Sequence, residues 1–138
     1  MNNEITKKYD VGMVFGVFDG FHEGHQHFLR EAVKYCDRLI VVVAHPDVVK
    51  KLKNRTPYYT SDERLTAIRA FNKEAEVIIG DNTIGQWTAL KHYQPDIVLL
   101  GYDQNQLGAE LEKIGARSYV ITAHFPTKFK SRLLLPGR

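Results

Sequence analysis

The chain has 138 residues, of which 43% are hydrophobic and 25% charged, and its formal net charge is +3. This length and composition predict one globular domain over residues 1–138 and exclude a disordered or fibrous chain. Because the longest apolar run, residues 39–44, is far shorter than the ~20 residues of a membrane-spanning helix, and the polar N-terminal segment lacks the apolar core of a secretory signal, we expect a cytoplasmic protein without a membrane partner.

Taken in chain order, the hydrophobic pattern predicts strands that alternate with helices. Thr60 and Glu63 form a capping-box signature that predicts a helix start. The alternation indicates an α/β fold, a Rossmann-like parallel sheet of about five strands with helices on both faces. The predicted strands are residues 11–18, 38–44, 75–80, 96–101 and 117–123, and the predicted helices are residues 24–35, a short helix after Pro46, 60–71, 83–93 and 106–116.

Ligands of such folds bind beyond the carboxyl ends of the strands. Three polar segments follow predicted strands there, at residues 16–25, 44–47 and 100–106. The mild positive charge fits phosphorylated small molecules as well as nucleic acid, but no nucleic-acid-binding motif is present, and we expect no nucleic-acid partner. The single cysteine, Cys36, excludes an internal disulfide and a cysteine-based zinc cluster.

The first of these segments carries the chemistry that points to phosphate. Gly16 and Gly20 let the backbone bend and approach a ligand closely, and Gly24 stands where a helix should begin. The N-terminus of a helix presents N–H groups and a partial positive charge, which suit phosphate. His22 and His25 could both donate hydrogen bonds to phosphate oxygens, and a nearby phosphate would favour their charged forms.

Two other interpretations of these histidines stay open. A histidine near a helix start is often a surface or capping residue, and four side chains here are potential metal ligands: Asp19, His22, His25 and His27. The sequence holds no HExxH pattern, and a glycine-rich strand-to-helix turn is a poorer frame for zinc than for phosphate. We therefore predict phosphate binding and place His27 on the surface.

Three segments resemble the cytidylyltransferase-like nucleotidyltransferase superfamily. "GVFDGFHEGHQHFLREA" resembles its signature, in which HxGH, here His22 to His25, heads a helix. "VVKKLKNRTPYYTSDERL" resembles its basic loop and the following helix with an arginine. "QPDIVLLGYDQ" resembles the archaeal-type FAD synthases in particular, whereas glycerol-3-phosphate cytidylyltransferases tend to carry Gly-Asp-Asp-Trp in place of "GYDQ".

The resemblance implies nucleotidyl transfer. A phosphate monoester attacks the α-phosphate of a nucleoside triphosphate and pyrophosphate leaves, with Mg²⁺ carried on the phosphates. It implies that His22 and His25 stabilise the α-phosphate and that Lys53 acts over the triphosphate or the acceptor phosphate. It further implies nucleotide contacts from Gly16, Val17, Phe18, Glu23, Gly24, Arg55, Arg64, Gly101, Asp103, Lys130 and Ser131.

Several of these residues could have a structural role instead of contacting the nucleotide. Arg64 could instead form a surface ion pair with Asp62 or Glu63, and Asp19 could be structural, accepting hydrogen bonds from backbone N–H groups. We interpret Trp87 as a packing residue, with base stacking left open. At the C-terminus the family pattern has two hydroxyl residues, and Arg132 stands where the second is expected.

Three functional hypotheses follow from this resemblance. The first is an FMN adenylyltransferase, FAD synthase-like, that uses ATP. The second is a cytidylyltransferase that uses CTP and glycerol 3-phosphate or a similar phosphoester. The third is a nucleotide-binding module with weak catalysis, for which the altered C-terminal motif is the support. Relatives of this superfamily are frequently dimers, so a homodimer stays open.

Overall fold

A computed structural model describes residues 8–121, which form a five-stranded, all-parallel sheet with helices on both faces. The strand order is β3–β2–β1–β4–β5, which confirms the predicted Rossmann-like architecture. The strands are β1 (Tyr9–Gly16), β2 (Cys36–Val43), β3 (Glu76–Ile79), β4 (Ile97–Leu100) and β5 (Ser118–Val120), and the helices are α1 (Glu23–Ala32), α2 (Pro46–Lys53), α3 (Ser61–Phe71), α4 (Thr88–Tyr93) and α5 (Asn105–Lys113).

The central strands are apolar on both faces because helices cover both sides of the sheet. In β2, Val41 and Val43 pack toward Leu29 of α1 and Ile68 of α3. The alternate residues of β2 belong to the opposite face, where Ala89 and Leu90 of α4 pack. Burial of each aliphatic side chain stabilises the folded state by about 1.5–3 kcal/mol. Because β2 is covered on both faces, successive residues along it contribute this stabilisation, which explains its continuous apolar run.

Helix α3 begins where the sequence predicted. Thr60 Oγ1 accepts a hydrogen bond from Glu63 N at 3.1 Å, and Glu63 Oε1 accepts one from Thr60 N at 2.9 Å. This reciprocal pair satisfies two backbone donors of the first turn. Ile68 is fully buried, and Leu65 and Phe71 pack on the same core.

Several predicted boundaries are wrong, among them the end of α5 at Lys113 instead of residue 116, and three of them have a clear local reason. Strand β1 ends at Gly16, not at residue 18, because Phe18 has a φ of 54°, outside strand geometry. Helix α1 ends at Ala32 because the next turn tightens, with Lys34 N donating to Glu31 O. Helix α4 begins only at Thr88, because Gly85 and Trp87 have φ values of 90° and 55°.

The order of the strands reverses between β1 and β4. Strand β1 pairs with β2 along its length, from Tyr9 with Cys36 to Gly16 with Val43. The β1–β4 register consists of Gly12 with Ile97 and Met13 with Val98, so the two strands part toward their carboxyl ends. A parallel sheet opens a crevice at such a switch point. Over residues 8–121 no helix has the length and apolar character needed to cross a membrane.

Candidate active site

The turn between β1 and α1 is backbone-strained. Phe18, Gly20 and Phe21 have φ values of 54°, 81° and 39°, in the left-handed region. For a residue other than glycine this conformation costs about 1–2 kcal/mol. Phe18 is only 4% exposed, and its ring folds back over Gly16, where an added Cβ would lie 2.8 Å from the ring. Burial of the Phe18 ring helps offset the strain, and strain of this kind concentrates at functional turns.

His22 and His25 form the start of α1 between them. His22 Nδ1 accepts a hydrogen bond from Gly24 N at 3.1 Å, and His25 Nδ1 accepts one from His22 N at 3.2 Å. The two bonds make a capping box in which imidazoles replace the usual hydroxyl and carboxylate. The rings are stacked, with centroids 3.7 Å apart and planes inclined by 18°.

These caps decide which nitrogen carries the proton. A neutral imidazole has one donor and one acceptor nitrogen. Because Nδ1 accepts a backbone N–H in both rings, the neutral tautomer carries its proton on Nε2. In each neutral ring the N–H donor is therefore on Nε2, and Nε2 of His22 is itself buried.

Phenylalanine rings hold His25 in place. The Phe18 ring contacts it edge-on at a centroid distance of 5.5 Å, and the Phe21 ring stacks on it at 6.3 Å. Phe21 in turn contacts Phe71 of α3 at 5.2 Å. Aromatic pairs of this geometry contribute about 0.5–1.5 kcal/mol each beyond burial. The imidazole pair is thus oriented by the core as well as by the helix start.

Asp19 ties this turn to the loop between α2 and α3. Its carboxylate accepts hydrogen bonds from Tyr58 N at 2.8 Å and from Tyr59 N at 3.0 Å, and Arg55 Nη1 lies 3.6 Å from the same carboxylate. Asp19 is 7% exposed. The plainer interpretation of Asp19, as an acceptor of backbone N–H bonds, fits these contacts, and the donors lie in a distant loop.

Arg64 lies beneath the site. It is 1% exposed, and Nη1 donates to Val17 O at 3.1 Å and to Ala44 O at 2.9 Å, while Nε donates to Tyr59 O at 3.2 Å. Burial lowers the pKa of the guanidinium, and the carboxylate of Asp19 opposes that shift. Both sequence interpretations therefore need correction. Arg64 is neither an exposed partner of Asp62 or Glu63 nor part of the cavity lining, and it joins three loops through their carbonyls.

The other predicted charged residues lie at different depths. Lys53, in the last turn of α2, lines the cavity. Arg55 lies outside the lining, with its guanidinium 4.8 Å from the centroid of the Tyr58 ring. Glu23, in the first turn of α1, is exposed and also outside the lining, because the first turn directs it away from the crevice. Among these three, only Lys53 reaches the cavity directly.

The carboxyl end of β4 closes the other side. Gly101 and Asp103 line the cavity there, as predicted from the "GYDQ" segment. Gln104, which sequence analysis did not single out, donates through Nε2 to Phe15 O at 2.9 Å. Its Oε1 accepts from Gly101 N, also at 2.9 Å. One side chain therefore connects the ends of β1 and β4.

Together these segments enclose a cavity of about 810 Å³. Its β2–β3 side combines apolar residues with His45, Lys53 and Asp81, and its β4 side carries carboxylates. The apolar residues of the first side are Val48, Leu52, Ile84 and Ala89, and the β4 side is lined by Phe28, Glu31, Asp103, Leu107 and Glu110. The predicted site residues that line the cavity are Gly16, Val17, Phe18, His22, Gly24, His25, Lys53, Gly101 and Asp103.

Two further histidines line the cavity and were missed. His45 heads α2, where its Nδ1 accepts a hydrogen bond from Asp47 N at 3.0 Å, which repeats the device at the start of α1. The signal in the sequence was a histidine followed by Pro46 directly after a buried strand. His27, placed on the surface from its sequence spacing, is half-buried and lines the cavity. Trp87 also lines it, while its ring contacts Phe15 edge-on at 5.9 Å.

Metal ligands are not clustered in the part of the chain that the structure describes. Residues 8–121 hold no group of three or more histidine, cysteine or carboxylate side chains that could bind a metal ion. Lys130 and Ser131, predicted to contact nucleotide, and Arg132 lie outside the described residues.

The sequence is similar to known proteins over most of its length. The family model described as cytidylyltransferase-like matches residues 13–132. The FAD synthase of Thermococcus sibiricus is 38% identical over 132 residues, which cover 92% of this chain and 88% of that protein. The FAD synthase of Pyrococcus abyssi is 39% identical over 113 residues, covering 79% of this chain and 76% of that protein.

The structure also resembles a solved one. The crystal structure of the lipopolysaccharide core biosynthesis protein from Thermoplasma volcanium superposes with a TM-score of 0.70 at 30% sequence identity. The superposition covers 85% of this chain and 99% of that chain. The similarity therefore extends over nearly the whole of that protein.

Proposed function

The chain belongs to the cytidylyltransferase-like family of nucleotidyltransferases, and from that premise we propose that it is an FMN adenylyltransferase. In this reaction FMN attacks the α-phosphorus of ATP, which gives FAD and pyrophosphate. The observation that carries the proposal is the imidazole pair of His22 and His25, which caps α1 through Nδ1 and lies in the lining of the cavity. The named FAD synthase relatives support ATP and FMN as the substrates.

The shape of the cavity supports a large acceptor. Leu52 and Ile84, on its β2–β3 side, are 64% and 52% exposed and offer apolar area to a ligand. An isoalloxazine ring would cover them and bury apolar area worth about 25 cal/mol per Å². Glycerol 3-phosphate has no apolar group to place there, so this side favours a flavin over the cytidylyltransferase alternative.

The residues of the first turn would act on the phosphorus centre. As the phosphate oxygen of FMN forms its bond, the bond to the β-phosphate breaks and pyrophosphate carries away the electron pair. Negative charge grows on the α-phosphate oxygens in between, and the donors of His22, His25 and the α1 N-terminus would stabilise it. FMN brings its own ionised nucleophile, so the chain needs no general base.

The remaining residues would orient the substrates. Lys53 would neutralise charge on the triphosphate or on the FMN phosphate, and Asp103 would accept hydrogen bonds from hydroxyls of the nucleotide. Mg²⁺, when bound, would neutralise the phosphates as a counter-ion. Because residues 8–121 gather no ligand set for it, we assign no residue to it and expect it to arrive on ATP.

A direct test measures pyrophosphate release from the purified chain with four substrate sets. These are ATP with FMN, CTP with FMN, CTP with glycerol 3-phosphate, and ATP alone. We expect release with ATP and FMN, and an equal amount of FAD by chromatography. Preference for CTP with glycerol 3-phosphate would establish the cytidylyltransferase instead. Nucleotide binding without turnover in any set would establish a binding module.

A further inference from the structure

The side chain of Gln104 replaces sheet hydrogen bonds at the switch point. The β1–β4 register continued past Met13 and Val98 would bring Phe15 and Gly16 opposite residues 100 and 101. At that level the Gln104 amide lies between the strands instead, 2.9 Å from Phe15 O and 2.9 Å from Gly101 N. It holds the strands together where they would otherwise separate.

Gln104 does this instead of capping its own helix. It is the N-cap residue of α5, yet its side chain makes no capping hydrogen bond. Only its backbone remains local, with Gln104 N donating to Gly101 O at 3.1 Å. A residue that served the stability of α5 would direct its side chain to the first turn of that helix. This side chain is directed to β1, 89 residues earlier in the chain.

The two contacts require an amide. Phe15 O needs a donor and Gly101 N needs an acceptor, and among side chains of this length only an amide or a protonated carboxylic acid offers both. A carboxylate can accept from Gly101 N, but its second oxygen would face Phe15 O and repel it. The bridge therefore requires a hydrogen on the side-chain atom that faces Phe15 O, so that this atom can donate.

The bridge fixes the distance between two parts of the site. Phe15 precedes Gly16 and Val17, which lead into the turn that carries His22 and His25. Gly101 precedes Asp103 on the β4 side. We propose that Gln104 is a positioning residue that sets the spacing between the α-phosphate site at the imidazole pair and the nucleotide-hydroxyl site at Asp103. This inference rests on the proposed function, because those two sites are the ones that ATP would span.

The experiment compares Gln104→Glu with the wild type from pH 6 to pH 8. At pH 8 the new carboxylate should repel Phe15 O, and we expect the KM for ATP to rise by about 10-fold to 100-fold, the effect of one or two misplaced hydrogen bonds. The KM for FMN, which would bind on the β2–β3 side, should change less than about threefold. Burial and the facing carbonyl raise the pKa of the new carboxyl. As the pH falls, protonation supplies a donor for Phe15 O, so the ratio of variant to wild-type KM should return toward one.

Two variants control this measurement. Gln104→Met has similar length and no titratable group, so its defect should be the same at every pH. Gln94→Glu makes the same chemical change after α4 and outside the cavity lining, and its kinetics should match the wild type. Wild type and variant share the other titratable groups around the cavity, so the ratio of their KM values isolates the new carboxyl. The titratable residues that line the cavity are Asp19, His22, His25, His27, Glu31, His45, Lys53, Asp81, Tyr102, Asp103 and Glu110.

A pH-independent defect in Gln104→Glu, or equal rises in KM for ATP and FMN, would overturn the positioning role and leave a general effect on stability. Thermal unfolding of each variant separates that effect. If the wild type turns over no substrate, the proposed function fails, and calorimetric ATP affinity then tests Gln104 by the same pH-dependent ratio. A wild type that binds no ATP would overturn both.

Discussion

At the scale of single residues, the site uses imidazoles for two tasks at once. His22 and His25 satisfy backbone donors through Nδ1 and line the cavity, and under the proposed function their Nε2–H groups would donate to phosphate. Removing a ring therefore removes a helix cap and the proposed phosphate donor together. A useful substitution separates the two effects.

His22→Asn should make that separation. Asparagine is a favoured N-cap and can accept from Gly24 N, so thermal stability should stay within about 1 kcal/mol of the wild type. The Nε2–H donor is lost, and kcat should fall by about 10²–10³-fold, the usual effect of one lost donor to a transition-state oxyanion. His22→Ala should show the same kinetic loss with lower stability. The exposed His92→Ala serves as the control, and wild-type turnover in His22→Asn would remove His22 from the chemistry.

The apolar side of the cavity gives a second prediction at this scale. Ile84→Asp places a charge where we propose that the flavin binds, so the KM for FMN should rise about 10-fold or more. The KM for ATP should stay within about twofold. Ile114→Asp is a matched control, since Ile114 is 47% exposed and lies outside this cavity. Steady-state kinetics with each substrate varied in turn would measure both KM values. A KM for FMN equal to that of the wild type would contradict flavin binding beside Ile84.

At the scale of elements, three loops are held in one arrangement by two buried polar side chains. Asp19 binds the backbone of Tyr58 and Tyr59, and Arg64 binds the carbonyls that follow β1 and β2. The loop that follows α2 thereby stays beside the turn with the histidines. Lys53 reaches the cavity through this arrangement.

Asp19→Asn should loosen that loop without unfolding the chain. The amide keeps one acceptor but turns an NH₂ group toward a backbone donor, which costs about 1–3 kcal/mol. Trypsin should then cut after Lys53 or Arg55 faster than in the wild type, and kcat/KM should fall. Asp62→Asn on the exposed face of α3 is the control. Unchanged cleavage, read by mass spectrometry, would show that other contacts hold the loop.

The packing of β1 on β2 gives a prediction about pH. Cys36 is 3% exposed, and its Sγ would lie 2.7 Å from a Cβ added at Gly12. Burial raises the pKa of the Cys36 thiol from 9.0 to about 11. Between these two values the unfolded chain loses the thiol proton while the folded chain keeps it, so stability should fall by about 1.4 kcal/mol per pH unit as the pH rises. Unfolding by urea at pH 8 to 11 should show this slope, and Cys36→Ala should lack that part of it.

At the scale of the whole molecule, the sequence was sufficient to predict the features that depend on local residue patterns. Hydrophobic periodicity placed every described strand and helix and the parallel sheet, and the Thr60 capping box set one boundary correctly. The contacts between residues that are distant in the sequence could not be predicted from it. Arg64 meets Val17 across 47 residues and Gln104 meets Phe15 across 89, so only the assembled sheet shows which carbonyl each side chain reaches. The prediction of a single domain over the full length stays a prediction.

Ligand binding to the folded chain gives a prediction at this scale. ATP that binds only the native state should stabilise it by about 2.7 kcal/mol at a concentration of 100 Kd. For a domain of this size that corresponds to a rise in Tm on the order of 10 °C. CTP at the same concentration should give a smaller rise. Thermal shift measurements would check this, and a larger shift with CTP would favour the cytidylyltransferase hypothesis.

The capping box at the head of α1 has one further consequence. Most active sites are assembled from residues that lie far apart in the sequence, so no short segment contains the whole site. Here the hydrogen bonds that position the two imidazole rings lie within four neighbouring residues. The ring of His22 is bound by the backbone N–H of Gly24, and the ring of His25 by the backbone N–H of His22. The same tetrapeptide placed before another amphipathic helix should therefore reproduce the capping box, whereas the aromatic contacts of His25 with Phe18 and Phe21 would have to be supplied separately.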